Sequence, residues 1–185
     1  MERENQRVVL TKRMIREALL HLMETRSIRN ISVRELCETA GINRSTFYKH
    51  YGAPENVLQE IQSELIQHII DLADDAGKTV STPTFLERVC EYLWENRRMH
   101  KVLLSSQTGS EGNDVFRMTS NALWTVKTFR PELADIDPVT DQAAMLFVEA
   151  GCYAVFRWWL LEDVEKTPKE IARTLCKLIG IEATN

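Results

Sequence analysis

Between Arg34 and His50 the sequence gathers a dense set of hydrogen-bonding and cationic side chains: Arg34, Asn43, Arg44, Ser45, Thr46, Tyr48, Lys49 and His50. Guanidinium, ammonium, hydroxyl and amide groups suit phosphate oxygens and the base edges of duplex DNA. Nothing comparable points to catalysis. HExxH, GxSxG and phosphate-loop motifs are missing from the sequence, and His21, His50, His68 and His100 lie far apart with no second ligand at i+3 or i+4. Cys37, Cys90, Cys152 and Cys176 form no CxxC pair and each sits in an apolar helical context, the pattern of reduced core thiols. No catalytic residue, metal site or cofactor is expected.

The elements that must hold the polar run are helices. The 185 residues contain only seven glycines and five prolines, where average usage would supply roughly 22. Sandwiches, barrels and doubly wound sheets need more turn residues than that, so an all-α fold of about nine helices is expected. A first amphipathic helix carries Ile15, Ala18, Leu19, Leu22 and Met23, with Thr11 as its expected N-cap. Ser32-Val33-Arg34-Glu35 has capping-box spacing, and Gly41 follows Ala40 where a helix ends in positive φ. Asn43 then caps a short helix from Arg44 to about Tyr51, in which Phe47 and Tyr51 turn inward and the polar residues face out. Pro54 opens a long helix marked by Leu58, Ile61, Leu65, Ile69 and Leu72.

Further helices are expected after a capping box at Thr84–Glu87, over about 113–129, after Asp137-Pro138, and after a second box at Thr167–Glu170. Met99–Leu104 reads as a short apolar piece, and Ser105–Gly112 as the most mobile loop.

Two short helices joined at Gly41 have the layout of a helix-turn-helix, whose second helix enters the major groove. Charge agrees. Residues 1–52 hold ten Lys/Arg and six Asp/Glu, net +4, which leaves −8 on residues 53–185 of a chain whose total is −4. A basic end on an acidic protein is what contact with phosphates requires. Met1 to Lys12 is charged throughout and lacks the apolar centre of a signal peptide, so a cytoplasmic location is expected. Arg3, Arg7, Lys12 and Arg13 read either as an arm along the DNA backbone or as a disordered terminus.

The run Gly41-Ile42-Asn43-Arg44-Ser45-Thr46-Phe47-Tyr48-Lys49-His50-Tyr51 resembles the recognition-helix signature of TetR-type regulators, roughly G-V-S-x-x-T-x-Y-x-H-F. The likeness extends over about residues 8–68, with Asn43 in place of the usual serine or threonine and Tyr51 in place of phenylalanine. Trp158-Trp159 followed by Thr167–Ile171 is similar to the C-terminal pattern of some branches. The resemblance implies a DNA-binding domain at 8–68, with its helix-turn-helix at about 32–51, and a regulatory and dimerisation domain at 69–185. By position it implies phosphate contacts from Thr46 and Tyr48 and approach to base edges by Arg44, Ser45 and Lys49. Arg34 would reach a base or a phosphate. For Arg44 the guanine-edge and phosphate readings both stay open. His50 reads as a favourable C-terminal charge or a packing residue on the same DNA-facing segment. The implied activity is transcriptional regulation, most often repression, at a palindromic operator.

The second half supplies its own reason for a partner. Ala143–Leu161 is almost wholly apolar and as long as a bilayer span, but it contains Glu149 and Arg157, so burial against a second helix is preferred to a membrane. Ala150, Gly151, Ala154, Trp158 and Leu175 are expected at a homodimer interface, whose two-fold axis would mirror a palindromic operator. A small-molecule effector pocket between helices would be lined by Trp94, Leu103, Phe116, Trp124, Phe147 and Phe156. Its occupant would act on DNA binding through the helix that begins at Pro54. The readings left as alternatives are a helical enzyme and a structural or interaction bundle that binds no DNA.

Overall fold

A computed structural model of the chain describes residues 2–76, 82–105 and 137–180. Among these residues there are eight α-helices, one 3-10 turn and no strand, so the all-α expectation holds. They are α1 (Glu2–Met23), the 3-10 turn Ile28–Asn30, α2 (Val33–Ala40), α3 (Arg44–Tyr48), α4 (Pro54–Ala76), α5 (Thr82–Glu95), α6 (Arg97–Leu104), α7 (Pro138–Leu161) and α8 (Pro168–Leu178). The helix expected over 113–129 lies outside the described residues, as does most of the Ser105–Gly112 loop. The chain divides into two compact units, the first holding the residues up to Leu65 within α4 together with Ser105, and the second comprising Ile66–Leu104 and the described residues after 136.

In the first unit α1 packs on α2, and α2 on α3. Ile15, Leu19, Met23, Ile28, Leu36, Phe47, Val57 and Ile61 are almost completely withdrawn from solvent and form one core. The punctuation works as its chemistry dictates. Ser32 Oγ accepts from the Glu35 amide at 3.2 Å while the Glu35 carboxylate accepts from the Ser32 amide at 3.1 Å. Gly41 terminates α2 at φ 66°, a left-handed conformation that a Cβ would strain although nothing lies within 4 Å of it.

Thr11 does not cap α1. The helix begins nine residues earlier, in a segment rich in good helix formers, and the Thr11 hydroxyl donates to the Arg7 carbonyl one turn back. Arg3, Arg7, Lys12 and Arg13 therefore all lie on α1.

In the second unit α5 packs along α8 and α6 against α7. The α5 residues Phe85, Leu86, Val89, Cys90 and Leu93 and the α8 residues Ile171, Ala172, Leu175 and Cys176 are all buried. α5 starts at Thr82, two residues before the expected Thr84 cap, because Pro83 suits the first turn, where its missing N–H costs no bond. Asp137 caps α7 by accepting from the Val139 and Thr140 amides, and Thr167 forms the expected capping box with Glu170. Burial pushes the Cys152 thiol up to about 11 and raises those of Cys90 and Cys176, so all three are protonated at neutral pH.

α7 is long and apolar enough to cross a membrane by length and composition alone. Its C-terminal half is tied into the unit: Phe156, Trp159 and Leu160 are buried, and Arg157 donates to the Leu104 carbonyl at 2.7 Å. Trp159 stacks on Trp94 at 5.3 Å and donates its indole N–H to the Lys166 carbonyl at 2.9 Å, which satisfies the one polar atom of a fully buried ring.

Candidate nucleic-acid interface

The recognition segment is held from beneath and capped from the front. Phe47 is 0% exposed and Tyr51 6%, their rings 5.8 Å apart, so the inner side of the segment is core. Asn43 Oδ1 accepts from the Thr46 amide at 2.7 Å and from the Ser45 hydroxyl at 2.7 Å. This asparagine does the capping work of a serine or threonine. The regular helix is shorter than expected and stops at Tyr48. The next amides, Lys49 to Thr46 and His50 to Phe47, bond three residues back, and Tyr51 returns to a four-residue bond with Phe47. Coiling thus continues to Tyr51 although α3 itself is five residues long.

With the inner face committed, Arg44, Ser45, Tyr48 and Lys49 are exposed, and Tyr48 shows 58% of its surface. Thr46 and His50 are half-buried, His50 against the Tyr51 ring at 6.5 Å. One patch therefore carries a guanidinium, an ammonium, a phenol and a hydroxyl. Arg34 stands on α2 and is exposed, but its Nε donates to Glu38 Oε1 at 2.7 Å, an i,i+4 ion pair that raises its pKa. With Nε so engaged, the Nη groups of Arg34 are what it can offer to a phosphate or base.

The cations of the first unit sort into two sets. Lys12 pairs with Glu60, Arg16 with Glu64, Arg26 with Glu35 and Arg34 with Glu38. The Glu35 carboxyl, held first by Arg26 and then by Ser32, is lowered to about 2. Arg13, Arg29, Arg44 and Lys49 have no ion pair among the described residues, so the recognition segment carries two of the unit's uncompensated cations. The Lys12–Glu60 and Arg16–Glu64 pairs escape sequence reading because their partners lie on different helices, 48 residues apart in the first case. The Arg34–Glu38 pair has a legible signal in its spacing.

The second unit places the other expected residues less uniformly. Trp94, Leu103 and Phe156 lie in it, Trp94 against Trp159 and under the Arg97 guanidinium at 5.2 Å, and Leu103 and Phe156 buried. Phe116 and Trp124 lie outside the described residues. Phe147 is 73% exposed, on the face of α7 opposite Phe156 and Trp159, and so does not line an internal pocket. Ala150, Gly151, Ala154 and Trp158 are exposed on that same outer face. Leu175 is 1% exposed: with Ile171, Ala172 and Cys176 it forms the side of α8 turned toward the core, and it is not available to a second subunit. His100, set aside in the sequence, is 2% exposed with no hydrogen-bond partner on Nε2, and desolvation lowers it to about 4.

A capped short helix anchored by an aromatic pair, preceded by a glycine turn and showing uncompensated cations, defines a helix-turn-helix protein. Comparison with known families makes this specific. The family model described as "Bacterial regulatory proteins, tetR family" matches residues 15–61, and that described as "Transcriptional regulator C-terminal region" of the TetR type matches residues 81–180. The chain belongs to the TetR family of transcriptional regulators.

Among solved structures it is similar to a TetR transcriptional regulator from Streptococcus agalactiae, with a TM-score of 0.71 and 21% identity over 95% of this chain and 97% of that one. It is also similar to the repressor FadR from Thermus thermophilus, solved in complex with lauroyl-CoA, with a TM-score of 0.61 and 12% identity over 94% of this chain and 95% of that one. Both likenesses concern the fold. A curated relative, the uncharacterized HTH-type transcriptional regulator YxbF of Bacillus subtilis, is 19% identical over 90% of this chain, which spans 44% of that protein's length.

Proposed function

We propose that the protein is a cytoplasmic, homodimeric transcriptional repressor that reads a palindromic operator and releases it in response to a small-molecule effector. Residues 8–68 carry DNA binding and residues 69–185 carry regulation and dimerisation. The observation that bears the most weight is the recognition segment: Arg44, Ser45, Tyr48 and Lys49 project from a scaffold fixed by buried Phe47 and Tyr51. Arg44 reads a guanine edge, Thr46 and Tyr48 bond phosphates, and Asn43 sets the helix start. Ser45 and Lys49 approach base edges, Arg34 reaches a base or a phosphate, and His50 supports the segment from its C-terminal end.

The dimer forms through the outer face of α7, where Leu146, Phe147 and Trp158 are 52%, 73% and 45% exposed and Ala150, Gly151 and Ala154 permit close approach. Paired with its own copy, this stripe satisfies an interface that is the same patch on both subunits. The effector sits between helices of the second unit near Trp94, Leu103 and Phe156. The lauroyl-CoA held by FadR of Thermus thermophilus supports the expectation of a small-molecule effector here. The effector favours a protein conformation in which the operator is held less tightly.

A duplex enriched from a random pool by the protein tests the reading. Its affinity should fall linearly and steeply on a logarithmic salt scale, and the enriched sequence should be a palindrome. Failure to enrich any duplex at low salt, with dimeric protein, overturns it.

A further inference from the structure

Two helices and the end of the recognition segment meet at one carboxylate in the first unit. Glu60, on α4, accepts from Lys12 Nζ of α1 through Oε2 at 2.8 Å and from the Tyr51 hydroxyl through Oε1 at 2.9 Å. Tyr51 is the residue at which the recognition segment ends, its amide bonded to the Phe47 carbonyl at 3.0 Å and its ring beside Phe47. Lys12 closes the triangle by lying 5.4 Å over the Tyr51 ring. One turn further along both long helices Arg16 pairs with Glu64 at 2.6 Å, so α1 and α4 are joined by two successive rungs, of which only the first also reaches the recognition segment.

A packed phenylalanine at position 51 would fill the same volume, but it has no hydroxyl to fix rotation about the segment's axis. Apolar contacts hold a helix against a core without direction, whereas a hydrogen bond to a charged acceptor has a preferred distance and angle. Burial alone would raise the Glu60 carboxyl, yet the hydrogen bonds from Lys12 and Tyr51 bring it below its usual range, so the acceptor is ionised at neutral pH.

We infer that Glu60 is a positioning residue for DNA reading: through Tyr51 it sets the orientation of the recognition helix relative to α1 and α4. It touches no DNA. The inference rests on the reading of Arg44–His50 as the DNA-facing segment, and it adds a residue outside the helix-turn-helix on which sequence discrimination depends.

The cleanest perturbation is Tyr51→Phe, which removes one hydroxyl and changes no charge. Affinity for the duplex enriched by the parent protein should fall about tenfold, the loss of one charge-assisted hydrogen bond. Affinity for a random-sequence duplex of equal length should stay within about twofold, because that binding depends on phosphate charge. In a Glu60→Gln background the Tyr51→Phe change should have less than half its logarithmic effect, since both alter the same bond. Equal losses on both duplexes, or no loss on either, overturn the inference.

Hydrogen exchange of the DNA-free protein gives a readout that needs no operator. Tyr51→Phe should speed exchange of amides 46–51 and leave those of Leu19 and Met23 unchanged. A uniform acceleration, or none, overturns the positioning role even where DNA binding is normal. Local acceleration in Tyr51→Phe, with a parent protein that enriches no duplex, keeps the Glu60 lock and rejects only the DNA reading.

Discussion

Replacing His100 by leucine should remove a defined piece of the protein's acid sensitivity. The imidazole is 2% exposed on α6, its Nε2 has no hydrogen-bond partner, and desolvation lowers its pKa to about 4. An unfolded histidine titrates near 6.5. Because the folded value is the lower one, the unfolded chain binds more protons between these limits, and stability must rise with pH across the window from about 4 to 6.5. The contribution is complete above 6.5 and is lost as pH falls toward 4. Linkage over the two values amounts to about 2 kcal/mol per chain between pH 7 and pH 5.

Urea unfolding of parent and His100→Leu at both pH values, at one protein concentration and one ionic strength, measures it. The stability difference between the two proteins should shift by about 2 kcal/mol in favour of the variant on going to pH 5. Taking the difference cancels every group that titrates alike in both. A stability difference that is the same at pH 5 and pH 7 would refute the assignment of a buried, neutral imidazole.

The remaining expectations concern binding and assembly. Arg44→Ala should relax discrimination at particular base pairs by about 1–3 kcal/mol, whereas Tyr48→Phe should weaken all duplexes alike, as competition titrations against single-base operator variants will separate. Phe147→Asp should weaken self-association at least tenfold, about 1.4 kcal/mol or more, read by sedimentation equilibrium with helix content unchanged. Gly41→Ala should cost about 1 kcal/mol through its positive φ alone, measured as a fall in unfolding free energy, since its added methyl meets no neighbour within 4 Å.

Local chemistry wrote much of this protein into its sequence. Ser32 and Glu35, Asn43, Asp137, and Thr167 and Glu170 act on their own neighbours, so each cap is legible from spacing of three residues or fewer. Gly41 and the inward pair Phe47 and Tyr51 follow from the same short range. Thr11 and Thr84 misled because a capping residue type is also tolerated inside a helix, and the decision lay with better helix formers upstream and with Pro83. Leu175 and Phe147 are both apolar residues on helices, and periodicity could not say which of two apolar faces turns to the core.

By itself, then, the sequence determined the helical class, the caps at Ser32, Asn43, Asp137 and Thr167, the basic N-terminal end and the polar run Arg44–His50, because helix signals and charge balance depend on residues a few positions apart. Only the tertiary structure decided that Glu60 joins Lys12 to Tyr51, that Glu38 pairs with Arg34, that His100 is buried with no hydrogen-bond partner on Nε2 and that α7 turns Phe147 outward. Three of these four depend on how separate helices pack, and the Arg34–Glu38 pair, whose spacing is legible, depends on which rotamers the fold leaves open.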